Sequence, residues 1–566
     1  MQTSADRLRV ILERGYFPKE LPPTFTTREF GRHAADILNT WEASGVYKQD
    51  KPGKVPGKAG CRKSGSYSYT LKSADVETIS TPKRGYERRG IHITHPIPQG
   101  ILAAEIARNW DIITKWIAKS RFSLDRPEIG ASFARGIKSV NFDAHQVKKG
   151  YIEASADWLV RTDITRFYPS IYTHSIPWAA YGKERVKSAI KLYEGSLADR
   201  LDTLVRACNR NQTVGIPIGP ETSRILADII SARVDHAFHD HVRTLKIIQV
   251  DRLQDDWFVG VESLKIAEDT LAAISGAYRP FGLEINGSKT ALERTINPTE
   301  ETWISEVNGF LSHRPGPLSG SRLQELLNLS LRLQLDRPKE PIVSYTLSIL
   351  ENGRIGAADV AKIESFLIRS ATAAPGSSDR ICTALVNLQA DTKRVSVERV
   401  RARFTELIER AVARGELYEA IWLTYTLRGL KAPLRSNRVC ASIGDLRSSA
   451  LALILLDMKY KGLCPASLPV TDWERRITAE SILTEPDWLL AYEGIRHGWL
   501  NDPKRLMNEP FFSAMLVRGV QFYDPRRNVV RTDVLRARRQ LNKRRARREA
   551  SRLIAELRGF NFGDYD

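Results

Sequence analysis

Cysteine is scarce: Cys61, Cys208, Cys382, Cys440 and Cys464 are the five in 566 residues. No two form a Cys-x-x-Cys pair, which excludes a disulfide framework and a local zinc site and points to a reducing cytoplasm. No run approaches eighteen apolar residues, and residues 1–7 carry no apolar signal core, so neither membrane spanning nor secretion is expected. Acidic side chains are short as well, with 66 Asp and Glu against 86 Lys and Arg, a net charge of +20. That excess favours a polyanionic partner, and nucleic acid over a membrane, because no basic amphipathic anchor stands out. The remaining composition, 42% apolar and 27% charged, is that of a globular protein. A chain of this length outgrows a single core, which implies two or three domains.

Along the chain, residues 1–45 read as one or two helices about a Pro-broken joint, Leu21-Pro22-Pro23-Thr24. Residues 48–63 hold six basic residues among Gly and Pro without periodicity, a loop that can touch phosphates. Ile91-His92-Ile93-Thr94-His95-Pro96 alternates as a strand cut by proline, and a helix with Ile101, Ile106, Trp110 and Ile113 on one side follows. His92 and His95 have no ligand partner nearby and read as structural. A long helical stretch is expected over about 179–209, and after Pro220 the residues Ile225, Leu226, Ile229, Ile230 and Val234 recur at helical spacing. Pro220 suits the first turn of that helix, with Thr222 or Ser223 able to satisfy its free N–H groups. Beyond residue 320 the chain is almost entirely helical, with one clear stripe at Val400, Phe404, Leu407, Ile408 and Ala411. Residues 370–378, rich in small polar side chains, mark a separator within that array. Successive amphipathic helices suggest a helical-repeat stack, although no strict period is present.

Three motifs concentrate the chemistry. Asp163 ends the strand Leu159-Val160-Arg161-Thr162; Gly215-Ile216-Pro217-Ile218-Gly219-Pro220 leads into a helix; and Leu253-Gln254-Asp255-Asp256-Trp257 reads as the tip of a strand–turn–strand hairpin. Carboxylates on adjoining strands suit Mg²⁺, which takes hard oxygen ligands. Adjacent aspartates alone are usually a solvated turn, but the ordered triple is far more specific.

That order resembles the palm of reverse transcriptases, with Gly282-Leu283-Glu284-Ile285-Asn286-Gly287-Ser288-Lys289-Thr290 similar to the family's fourth motif. Phe167-Tyr168-Pro169-Ser170-Ile171-Tyr172-Thr173-His174 and Gly219-Pro220-Glu221-Thr222-Ser223-Arg224 look like the bacterial abortive-infection or defence-associated branch, relatives of the retron and group II intron enzymes. The resemblance covers roughly residues 80–310. It implies an α+β fold: right-hand polymerase fingers (1–150) and palm (151–320), followed by an all-α helical-repeat-like C-terminal domain (321–566). The activity implied is RNA-directed DNA polymerisation from dNTPs by two-metal nucleotidyl transfer, in anti-phage defence. The cofactor is two Mg²⁺ ions, with Mn²⁺ as a substitute. Asp163, Asp255 and Asp256 are the implied catalytic carboxylates, and the Ile164 carbonyl is a further metal ligand. Tyr168 matches the aromatic gate that crowds a sugar 2′ carbon, and Lys289 a lysine that assists pyrophosphate departure. Gly219 and Lys138 are the remaining nucleotide-binding candidates, with Arg135, Lys148 and Lys149 as other cations for a triphosphate. Leu253, Gln254 and Ile218 depart from the family pattern, and Ile218 stands where many relatives have glutamine. The rivals are an intron- or retron-type enzyme and a non-catalytic RNA-binding scaffold.

The tail, residues 526–558, holds thirteen Lys and Arg against three Asp and Glu, half the net charge of the chain. Arg538, Arg539, Lys543, Arg544 and Arg545 are its nucleic-acid-binding candidates. Partners implied are an RNA template or DNA product and dNTPs; a homo-oligomer is compatible, a membrane is not. Relatives of the abortive-infection type prime DNA from a tyrosine of their own chain, and Tyr16, Tyr47 and Tyr565 are the candidates outside the palm.

Overall fold

The structure, a computed structural model, describes residues 2–50, 66–83, 87–296, 302–313 and 316–537 apart from 352, 354 and 466, together with 540, 541, 543 and 544. The chain is a mixed α+β protein, mostly helical, with small antiparallel sheets among the described residues. Two are hairpin ribbons: β1 (Lys48–Asp50) with β2 (Ser68–Thr70), and β3 (Glu77–Pro82) with β4 (Arg88–Ile93). The third has four strands, β5 (Trp158–Thr162), β6 (Gln249–Leu253), β7 (Asp256–Val261) and β8 (Ala291–Arg294), in the order β6-β7-β5-β8.

Alternation builds that sheet. Leu159 and Phe258 turn to one face, against Ile152 of the helix Phe142–Ser155, while Val160 and Val259 enter the main core on the other. β5 is interior, paired with β7 from Trp158↔Val261 to Thr162↔Trp257 and with β8 from Trp158↔Arg294 to Arg161↔Ala291. β6 and β7 form a hairpin closed by Leu253↔Asp256. Asp255 therefore lies in its two-residue turn, whereas Asp256 is already the first residue of β7.

The helix after Pro220 runs Glu221–Thr244 and buries Ile225, Leu226, Ile229, Ile230 and Val234 as their spacing predicts. Pro220 stands at its N-cap, not inside the first turn, and the Thr222 hydroxyl accepts from Gln99 Nε2 (2.9 Å) instead of capping. The long helix expected over 179–209 is four pieces, Ser175–Tyr181, Lys183–Ser188, Ile190–Tyr193 and Leu197–Ala207. Two of its joints are Gly182 and Gly195, at φ +95° and +68°, a backbone region that glycine enters without a Cβ penalty and that a helix cannot contain. The separator expected over 370–378 shrinks to a tight joint, because Ser370 is buried inside the helix Val360–Ala373 and a single 3₁₀ turn, Pro375–Ser377, connects it to Ser378–Thr392.

The C-terminal helices share apolar packing with the N-terminal segment. One apolar cluster runs from Leu8 to Val529. The N-terminal segment holds the helices Ser4–Gly15, Arg28–Arg32 and Ala34–Ala43 around the expected joint. There it meets the far end of the chain: Thr26 N donates to Phe522 O (2.9 Å), Asp524 N to Thr24 O (2.8 Å), and Trp41 Nε1 to Phe511 O (3.0 Å). Phe522 is fully buried among Phe17, Phe30, Trp488 and Tyr492, with ring centroids 5.2–5.8 Å away.

Phe522→Ala should therefore cost about 3–5 kcal/mol of global stability. Urea titrations followed by tryptophan fluorescence and by far-ultraviolet circular dichroism should shift together. Two separated transitions would count against a shared core.

Candidate active site

Asp163 follows directly on β5 and is buried. Beyond it the chain keeps its extended course: Ile164 bridges Ile285, Asn286 N donates to Asp163 O (2.8 Å), and Thr165 N to Glu284 O (2.9 Å). Because the residues flanking Ile164 make those bonds, its own N–H and C=O point to the opposite edge, on the side of β7. Continuing the β5–β7 register past Thr162↔Trp257 brings residues 163 and 164 alongside Asp256 and Asp255. The fourth segment thus grips the first from one side, and the hairpin turn approaches it from the other.

The electrostatics follow from that placement. The Asp163 side chain offers Oδ2 to Lys289 Nζ, while its Oδ1 is buried and accepts no hydrogen bond. Such an unfilled buried acceptor costs about 1–3 kcal/mol. Asp255 is half-buried, and burial first, then the charges of Asp256 and Asp163, push its carboxyl up to about 7. A backbone hydrogen bond and Lys289 oppose the rise without cancelling it. Asp256 is exposed. Asp255 thus sits among like charges that Lys289 offsets only in part.

Hard oxygen donors that repel one another, one with an orphaned buried oxygen, fit the chemistry of Mg²⁺. Among the described residues no three His, Cys, Asp or Glu side chains are grouped closely enough to hold a metal ion by themselves. Mg²⁺ commonly keeps water and substrate oxygens in its shell and is held by one or two carboxylates, so Asp163 and Asp255, with the Ile164 carbonyl, match its modest demand on protein ligands.

No family model matches the sequence, and no curated protein matches it. Solved structures do resemble it, distantly. Apo telomerase from Candida tropicalis matches with a TM-score of 0.29 and 12% identity over 80% of this chain and 77% of that one. The same enzyme truncated of its C-terminal domain gives 0.27 and 11%, over 49% of this chain and 57% of that one. Telomerase from Candida albicans in complex with a fragment of telomeric RNA gives 0.26 and 11%, over 63% and 66%. The chain therefore spans little more than half the length of the truncated enzyme. Similarity at this level says nothing about chemistry, which here comes from the carboxylates and their surroundings.

Tyr168 packs half-buried against the core, in the one-turn helix Phe167–Ser170 that Arg166 enters at φ +46°. Its carbonyl accepts from Ile216 N (3.1 Å), so the first and second motifs are zipped together. Burial, then Asp228 and Asp255, push its phenol well up, and it stays neutral.

The four expected triphosphate cations are all engaged within the chain. Arg135 donates to Phe17 O (2.7 Å), Gly219 O (3.0 Å) and Glu221. Lys138 pairs with Glu128 at 3.6 Å, Lys148 reaches Asp251 and Phe122 O, and the Lys149 ammonium lies over the Phe258 ring. Gly219, at φ +134°, owes its identity to packing: a Cβ there would come 2.7 Å from Pro18 Cγ and 3.0 Å from His92 O. His92, at the end of β4, pins the same loop. Its N–H donates to Ile218 O (2.7 Å), and its Nδ1 accepts from Ile218 N (2.8 Å). Burial holds that ring down to about 4, and so neutral and able to accept.

Two of the priming candidates are withdrawn into the core. Tyr16 is fully buried and donates to Thr94 O (2.6 Å), and Tyr47 is buried, its phenol raised to about 12 by burial and then by Glu42. Tyr565 lies outside the described residues, as do Arg538, Arg539 and Arg545; Lys543 and Arg544 are exposed. The start of the basic segment docks on the helical region, Arg531 on Asp391 and Arg536 on Glu351 O.

Sequence reasoning passed over the buried charges beneath the hairpin. In β6, Asp251 accepts from His145 Nδ1 (2.8 Å), and His145 Nε2 bonds Asp125 (2.9 Å). The signal was present, since adjacent Asp251 and Arg252 lie between apolar Val250 and Leu253 and, once buried, demand partners. Burial opposes the charged ring, but the two carboxylates outweigh it and raise His145 to about 9. A folded value above the unfolded 6.5 means that this stabilisation is complete below about pH 6.5 and is lost as pH rises through 9. The stability gap between wild type and His145→Gln, up to about 3 kcal/mol at pH 6, should narrow steadily by pH 10 in urea titrations. A gap independent of pH would mean that the ring is held neutral.

Proposed function

We propose that the chain is a reverse-transcriptase-like nucleotidyltransferase that joins dNTPs into DNA. The observation that carries this reading is the pair of carboxylates at one end of neighbouring strands, Asp163 just past β5 with an unfilled buried oxygen and Asp255 in the β6–β7 turn with its acidity suppressed by burial and then by its acidic neighbours. Such a site gains most from a divalent cation. Mg²⁺ bound there would favour the deprotonated form of an attacking hydroxyl and neutralise charge on a triphosphate. The chain's own residues do the rest. Asp163 and Asp255 hold the charge, Tyr168 bounds the space beside the sugar, and Lys289, released from Asp163, supplies a proton donor for the leaving pyrophosphate. In this reading residues 1–150 are fingers, 151–320 palm, and 321–566 a helical domain whose basic tail grips RNA or DNA. The role in anti-phage defence follows the sequence resemblance alone.

A second reading has one observation in its favour. The Lys289–Asp163 pair closes the site as a non-catalytic RNA-binding scaffold would keep it.

One experiment separates the two. Purified protein with Mg²⁺, labelled dNTPs and added RNA should yield labelled DNA, and Asp163→Asn or Asp255→Asn, both folded, should reduce it to background. Incorporation undiminished in those variants removes the site, and none in wild type favours the scaffold. Tyr168→Ala should raise incorporation of rNTP relative to dNTP by about tenfold or more. An unchanged ratio makes Tyr168 a packing residue.

A further inference from the structure

Beneath the hairpin turn, Arg252 is buried together with Asp235 and Ser120. Its Nε and Nη2 bond the two oxygens of Asp235 at 2.5 and 2.7 Å, Nη2 lies 3.4 Å from Ser120 Oγ, and Ser120 Oγ itself donates to Asp235. The remaining nitrogen, Nη1, donates to the carbonyl of Gln254 at 2.5 Å. Asp235 belongs to the helix Glu221–Thr244 and Ser120 to the segment after the helix Trp110–Ile117, so three separate parts of the chain converge on one guanidinium.

We propose that Arg252 is a positioning residue that aims Asp255, and so sets the affinity of the site for a divalent cation. This rests on the nucleotidyltransferase reading for its purpose, but not for its geometry. A guanidinium is a rigid planar fork, and once two of its nitrogens are fixed on Asp235 the direction of the third is fixed too. The third holds the Gln254 carbonyl. The peptide from Gln254 to Asp255 is planar, so holding that oxygen also orients the Asp255 N–H and places its Cα. Gln254 needs this restraint because it sits at φ +56°, a left-handed conformation that a residue with a Cβ leaves readily. Neutralising Asp235 alone would not require the third bond. Its target, the turn carbonyl one residue before Asp255, is what assigns the role. Lysine could keep the charge but could not grip Asp235 with two nitrogens and reach the carbonyl as well.

The test is Mn²⁺ binding to the full chain, measured by electron paramagnetic resonance, with Asp163→Asn and Asp255→Asn identifying the site. Arg252→Lys and Asp235→Asn should each weaken Mn²⁺ binding by about 10- to 100-fold, as the loss of groups that orient metal ligands does. Gln254→Val leaves the buried pair intact and disfavours the left-handed turn; it should weaken binding comparably. Combined with Arg252→Lys or Asp235→Asn it should add less than its separate effect, because both changes release the same turn. Unchanged affinity in Gln254→Val overturns the proposal whether or not the core variants fold, and so do fully additive effects. Wild type that binds Mn²⁺ at these carboxylates without incorporating dNTPs refutes the polymerase reading and leaves Arg252 in its role. Wild type that binds none at Asp163 and Asp255 refutes both.

Discussion

Like charges brought together at one edge of the sheet, Asp163 buried and Asp255 half-buried, are the constraint around which it is arranged. Register brings Asp163, Asp255 and Asp256 to one end of β5 and β7, where Asp255 feels both neighbours and one Asp163 oxygen accepts no hydrogen bond. The surrounding structure bears that cost. Lys289 lends a charge to Asp163, the bridge from Ile164 to Ile285 holds the strand extended, and Arg252 holds the carbonyl of the left-handed Gln254 in the β6–β7 turn.

The rest of the polar interior serves to hold those elements still. Arg135 ties the loop before the helix Glu221–Thr244 to the N-terminal segment, and His92 ties the same loop to β4. Asp251, His145 and Asp125 tie the edge strand β6 to the helix Phe142–Ser155 and to the segment before it. Arg135, which an isolated reading assigns to substrate, is spent on this bracing.

That is where sequence reasoning succeeded and where it ran short. The short apolar runs of β5 and β7 and the Asp-Asp turn between β6 and β7 made these strands legible, because run and turn are local properties. The stripe at Val400, Phe404, Ile408 and Ala411 became a helix with that face buried for the same reason. The partners of cations are not local. Lys148 and Arg135 read as free positive charge until the fold brings Asp251 and Glu221 to them, from 103 and 86 residues away in the chain. Tyr16 and Tyr47 read as available phenols until the fold buries them, Tyr16 with its hydroxyl on the carbonyl of Thr94, 78 residues away. The broken helix over 179–209 was recoverable in principle, since Gly182 and Gly195 are in plain view, but charge-rich helical spacing outweighed them.

The closing of the chain upon itself has a consequence for how the protein is made. Phe25 bridges Tyr523, and the Thr24 hydroxyl bonds Asp524 O across 500 residues of sequence. At about 5–20 residues per second, a ribosome needs roughly 25–100 s between emitting one partner and the other. Through that interval Phe17, Phe25, Phe30 and Trp41 lack the aromatic residues that finally cover them. A segment made early is therefore completed late, only once Phe511, Phe522 and Tyr523 have been added.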